Sequence, residues 1–208
     1  MRLPDSIPAE DPDSVRALQD FLLQEAERLL WPRNPDKTIL PAVFTEGGPM
    51  VRNTPDLKGA FAELSFAART FWPTVVFELA HETVHLLNPM PRNGNKLEEG
   101  VAVEFSIHAQ EMLGAPIIQQ PTKGFYFSAL QLVRLLPGGA FPAARHIREA
   151  HGPLSDVRTR QLQSLYPELE IGMLRKLCRQ MNRQRLPSHS GQMPAREADS
   201  RKPAPRHG

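Results

Sequence analysis

Two histidines separated by three residues, with a glutamate directly after the first, form the segment His81-Glu82-Thr83-Val84-His85. On a helix, side chains four apart stack on one face. Both imidazoles then reach a single divalent metal ion, and Glu82 sits where a carboxylate takes a proton from a metal-activated water. That is the chemistry of a zinc-dependent hydrolase, with His81 and His85 as ligands and Glu82 as general base. The alternative is a pair of core histidines satisfied by hydrogen bonds. It buries three polar groups in one helical turn at high cost, and a metal relieves that cost.

Catalytic zinc takes three protein ligands and leaves a further position for water, so the histidine pair needs a partner. The segment Leu97-Glu98-Glu99-Gly100-Val101-Ala102 follows at short range. Asn95 is a good helix N-cap, and Glu98 falls three residues later, in the reciprocal capping-box position. Glu98 then has a job at the helix end, and Glu99 is left to project towards the histidines as the third ligand. Glu98 is the reserve ligand. Glu104 is a weaker reserve, or a carboxylate that orients a histidine from behind. Gly100, costly inside a helix, fits a close approach of the two helices. Tyr126, in Gly124-Phe125-Tyr126-Phe127, is a candidate hydrogen-bond donor to a tetrahedral oxyanion, against the plainer reading of an aromatic in the core. His108, four after Glu104, reads as its surface neighbour, and Cys178 as a packed small hydrophobe rather than a nucleophile.

These two elements together resemble the gluzincin group of zinc metallopeptidases. There an HExxH helix is followed by a second helix with a glutamate ligand in an (N/E)-E-G-x-A stretch. His81, Glu82 and His85 match the first element; Glu99, Gly100 and Ala102 match the second. The resemblance covers about residues 72–106, and the link from His85 to Glu99 is shorter than in thermolysin-like or aminopeptidase-like members. The metzincin pattern fails, since it needs Gly at 88 and His at 91 where this chain has Asn88 and Pro91. The resemblance implies Zn²⁺ as cofactor, a peptide or protein as substrate, and a zincin-like fold.

The elements that must position these residues are legible from periodicity. Asp11-Pro12-Asp13 is a helix start, and Val15, Leu18, Leu22, Ala26 and Leu29 recur at helical spacing up to Trp31-Pro32. Thr38 to Thr45 is rich in strand formers, Glu46-Gly47-Gly48-Pro49 is a turn, and Met50 to Asn53 is a short return strand. Ala60 to Ala67 reads as a strand, or a strand running into a helix. As an edge strand it would accept a substrate peptide as an added strand. The motif helix spans Pro73 to Leu87 and is apolar nearly all round, hence central and buried. A second helix runs from Leu97 to Leu113, with others near 124–136, 141–150, 156–165 and 168–183. The fold class expected is α+β, mostly helical and zincin-like, with a small antiparallel sheet and the active-site helix behind it.

Composition bounds the rest. Hydrophobic residues at 40% and charged residues at 23% suit a globular domain with a core. One cysteine excludes an internal disulfide framework and a thiolate zinc cluster. Residues 1–10 read as a flexible leader, 11–186 as the zincin-like metallohydrolase domain, and 187–208 as a disordered basic tail. Formal net charge is +2, while residues 183–208 alone carry six basic and two acidic side chains. The basicity belongs to the tail, so no nucleic-acid partner is expected. No apolar run spans a membrane and no signal-peptide core is visible, so the expected location is cytoplasmic. The competing class is a zincin-like metal-binding or effector protein without general peptidase turnover.

Overall fold

The computed structural model describes residues 2–90, 94–117 and 120–181. The fold is α+β, and seven α-helices and four short strands are present among the described residues. The tail expected over 187–208 lies outside them.

Helix α1 (Pro12–Leu29) starts as its sequence dictates: the Asp11 carboxylate accepts from Ser14 N at 3.0 Å, and Pro12 takes the first helical position, where no N–H is needed. Val15, Leu18, Leu22 and Ala26 form its buried stripe. The segment before α1 is tied to the fold. Pro8 is buried in a short 3₁₀ turn, and the Trp72 indole N–H donates to Ser6 O at 2.7 Å.

The strands are β1 (Thr38–Ile39), β2 (Val43–Phe44), β3 (Met50–Asn53) and β4 (Gly59–Leu64). The antiparallel sheet expected from the sequence is not what forms. Only β3 runs antiparallel to β4, whereas β1 and β2 pair parallel with it. The physical reason is a parity of turns. The chain reverses after β2 and again between β3 and β4, so β2 and β4 point the same way. β1 and β2 bypass β3 and lie along the opposite side of β4. A buried side chain holds them there. The Gln19 amide of α1 donates to Leu40 O at 2.9 Å and accepts from Ala42 N at 2.8 Å, filling the gap between the two strands. β4 is therefore the central strand. Residues 60–67 do not supply the edge strand that peptide addition would need, and β3 lies on an outer edge instead.

Ala60, Ala62 and Leu64 point their side chains into the core, and α2 (Trp72–Leu86) packs on that face of β4. Its neighbour α3 (Lys96–Met112) packs on α2 and carries Glu98 and Glu99 in its first turn. Four further helices complete the domain: α4 (Gly124–Arg134), α5 (Ala140–His151), α6 (Thr159–Leu165) and α7 (Ile171–Leu177). The last two are shorter than periodicity suggested. After α7 the chain turns extended and meets the start of α3. Lys96 N donates to Arg179 O at 3.1 Å, Met181 N donates to Gly94 O at 3.0 Å, and Asn95 and Gln180 form a β-bridge. The Asn95 amide also donates to Leu154 O at 2.8 Å, anchoring the same corner.

The close helix approach expected at Gly100 is real, but the partner is α4 rather than α2. A Cβ at Gly100 would lie 2.6 Å from Ala129 O and 2.6 Å from Val133 Cγ1. That contact sets how near the first turn of α4 comes to the motif helix. Gly100→Ala should lower the urea midpoint. Overpacking costs about 1–3 kcal/mol, more than the roughly 1 kcal/mol alanine gains in helix propensity. A raised midpoint would mean that α4 moves aside freely.

Candidate metal centre

The polar face of α2 is a column one side chain wide. Glu78, His81, Glu82 and His85 recur at i, i+3, i+4 and i+7, the spacing of one helix face. Three of the four are buried on a helix otherwise packed in apolar surroundings. Opposite them stands Glu99, delivered by the first turn of α3.

Three donor atoms converge between the helices. His81 Nε2 lies 3.2 Å from Glu99 Oε2, His85 Nε2 lies 3.7 Å from the same oxygen, and the two Nε2 atoms are 3.4 Å apart. Ligands about 2.0–2.1 Å from a tetrahedral zinc ion are themselves about 3.3 Å apart, so this triangle has the size of one face of that coordination shell. His81, His85 and Glu99 are the group of side chains that can hold a metal ion among the described residues. The donor chemistry fits as well: two imidazoles and a carboxylate, with His85 retaining 19% side-chain exposure as the open side.

The electrostatics point the same way. Burial of the His85 ring favours its neutral form. The Glu99 charge and hydrogen bond, with Glu98 and Glu82, outweigh that and push its pKa up to about 10. Burial likewise opposes ionisation of Glu99, but His85 and the hydrogen bonds from His81 and His85 hold its carboxyl well below the usual carboxylate range. Between the helices, then, a negative carboxylate demands a positive partner. A proton on His85 is one; a divalent ion shared by all three is the other.

Glu82 is 3% exposed. Burial pushes its pKa up, opposed by His81 and His85 and reinforced by Glu99 and Glu78. A carboxyl raised in this way holds a proton more tightly than an exposed one, the property required of a group that takes up and returns a proton.

Around this centre the structure assigns clear places. Asn95 caps α3 as expected, accepting from Glu98 N at 3.0 Å. The expected return bond from the Glu98 side chain does not form, because that carboxylate is drawn to His85 instead. The Glu98 carboxylate faces His85, with Oε2 3.9 Å from Nδ1, behind the ring rather than among the three converging donors. Arg148 lies within electrostatic reach of both Glu98 and Asp156, and its guanidinium sits over the Trp31 ring. Tyr126 stands at the site: its ring meets that of His81 edge-on, with centroids 5.6 Å apart.

Two further expectations are corrected. Glu104 accepts from Arg134 Nε at 2.7 Å, away from the histidines, because five residues past Glu99 it has rotated onto another face of α3. His108 does not pair with Glu104; it lies 3.1 Å from Glu25 of α1. Cys178 is half-buried, and burial pushes its thiol pKa up, as suits an inert packed residue.

Two residues escaped the sequence reading. Glu78 accepts from Ser65 N at 2.8 Å and Ser65 Oγ at 2.5 Å, clamping the end of β4 to α2. Its signal was the i, i+3, i+4, i+7 column itself. Gly94 borders both carboxylates: a Cβ there would lie 2.5 Å from Glu99 Oε1 and 2.9 Å from Glu98 Oε2. Nothing in the local sequence marked it.

A pH dependence follows from His85. Its ordinary value is 6.5, and in the folded site it rises to about 10. The stabilisation from its charged form is therefore fully present below about pH 6.5 and fades as pH rises towards 10. A metal must displace that proton. Zinc binding at pH 7–8 should release about one proton, and apparent affinity should rise roughly tenfold per pH unit below pH 10. Titration calorimetry in buffers of different ionisation enthalpy measures this, and proton uptake or pH-independent affinity would contradict it. Comparisons with protein-family models, with curated proteins and with solved structures find no match to this chain.

Proposed function

We propose that this chain is a zinc-dependent hydrolase of peptide bonds, in a zincin-like arrangement of the gluzincin kind. The observation that carries the proposal is the triangle of His81 Nε2, His85 Nε2 and Glu99 Oε2, with sides of 3.2 to 3.7 Å, beside the buried Glu82. In this reading His81, His85 and Glu99 hold Zn²⁺. When bound, the ion supplies a water of lowered pKa and a Lewis acid for a carbonyl.

The remaining work falls to the chain's own residues. Glu82, its carboxyl raised by burial, takes the proton from the attacking water and returns it to the leaving amine. Tyr126, whose ring meets His81 edge-on, donates from its hydroxyl to the oxygen that gains charge as the carbonyl becomes tetrahedral. Glu98 lies behind His85, where a carboxylate holds a ligand's far nitrogen protonated and its near nitrogen aimed inward. Gly94 leaves room for the Glu99 carboxylate to sit against backbone.

The test is zinc content together with cleavage of a mixed peptide library. The wild type should carry one zinc per chain and cut peptides. Glu82→Gln should keep its zinc and lose at least a hundredfold in kcat. Tyr126→Phe should lower kcat about tenfold or more with little change in KM. A wild type without zinc sinks the metal centre. One with zinc but no cleavage leaves a metal-dependent binding or effector protein.

A further inference from the structure

Lys96 occupies an electrostatically poor position. It is the first residue of α3, where the helix dipole is positive and cations are disfavoured. It is half-buried, and burial, Arg179 and Lys176 all push its pKa down. Glu98 and Glu99 follow in the same turn, but their carboxylates face the histidines. Among the described residues, no carboxylate forms an ion pair with Lys96, Lys176 or Arg179. The ammonium is instead held by neutral groups: it donates to Ser128 Oγ at 2.7 Å and lies 5.2 Å from the centre of the Phe125 ring. Backbone bonds bring the three residues together: Lys96 N donates to Arg179 O at 3.1 Å, and Arg179 N donates to Lys176 O at 3.2 Å. Like charges placed so at the positive end of a helix repel one another, and an anion relieves that cost.

The place of this patch gives the anion an identity. The Phe125 ring is 5.8 Å from that of Tyr126, and the Tyr126 ring is 5.6 Å from that of His81. Lys96 is thus joined to the metal centre by one turn of α4, across two ring contacts. An extended peptide advances about 3.3 Å per residue, so a side chain a few residues from the scissile amide reaches the patch. Three clustered charges and an aromatic face suit one or two carboxylates. They do not form the extended stripe that tracks a nucleic-acid backbone.

We propose that Lys96, Lys176 and Arg179 bind an aspartate or glutamate side chain of the substrate peptide and so select acidic sequences for the neighbouring metal centre. This rests on the peptide-hydrolase reading for the word substrate, but binding is measured without turnover. The probe is a fluorescein-labelled dodecapeptide with two adjacent glutamates, compared by anisotropy with its glutamine analogue on the zinc-supplemented, full-length Glu82→Gln protein. At low salt the glutamate peptide should bind at least tenfold more tightly, and 300 mM NaCl should largely erase the difference. Lys96→Gln with Arg179→Gln should abolish the preference while leaving affinity for the glutamine peptide unchanged. Lys96→Arg should retain it, which separates charge from fold.

Equal affinity for the two peptides overturns the proposal. So does a preference that survives in the double variant, or tighter binding of a twelve-nucleotide oligothymidylate through the same residues. Failure of the hydrolase reading looks different: the wild type then lacks zinc or cleavage while the glutamate preference stands.

Discussion

The arrangement of this protein turns on one unfavourable act, the burial of a carboxylate between two helices. Glu99 is 5% exposed and faces two imidazoles rather than water. Such a charge persists in a packed interior only if a positive partner meets it there. His85 can supply one by holding a proton, or the two histidines by sharing a metal. Both solutions require their Nε2 atoms to sit where they do. The register of α2 against α3 is therefore tied to charge balance, beyond the shape of the apolar side chains around it.

Much of the remaining structure keeps that register. Glu78 clamps the end of β4 to the motif helix through Ser65. The start of α3 is held from three sides. Asn95 closes the helix end and reaches Leu154 O, residues 179–181 bond to residues 94–96, and Gly94 clears the space that the Glu98 and Glu99 carboxylates fill. A corner with so many backbone and buried side-chain hydrogen bonds has little freedom to drift, which is what a metal site needs from its supports. Gly100 acts similarly from the far side of α3. It admits α4 to within contact of the backbone, and so brings Tyr126 to the edge of His81.

The same corner shows how a charged surface arises beside a buried site. The first turn of α3 carries one cation and two anions, and the fold sends them in opposite directions. The two glutamates turn inward to the histidines, while Lys96 is left with Lys176, Arg179 and the face of Phe125. In composition the first turn is nearly balanced; in space it is a negative interior backed by a positive rim.

What could be read from the chain was whatever depends on neighbours within a turn or two. The Asp11-Pro12 start of α1, the buried motif helix and the Asn95 cap follow from local periodicity and capping, and the structure agrees with them. Capping did not separate the two glutamates, since the Glu98 carboxylate lies beside His85 instead of closing the helix end. Long-range partners were beyond it. Periodicity marks strands but not their neighbours, so the parallel pairing of β1 and β2 with β4, locked by Gln19 of a distant helix, went unread. Gly100 signalled a close contact without saying with what. Glu104 and His108 were matched by spacing, yet took Arg134 and Glu25 from other helices. Helix spacing fixes which side chains share a face. Only packing decides what that face meets, because burial and ion pairing are settled between segments far apart in the chain.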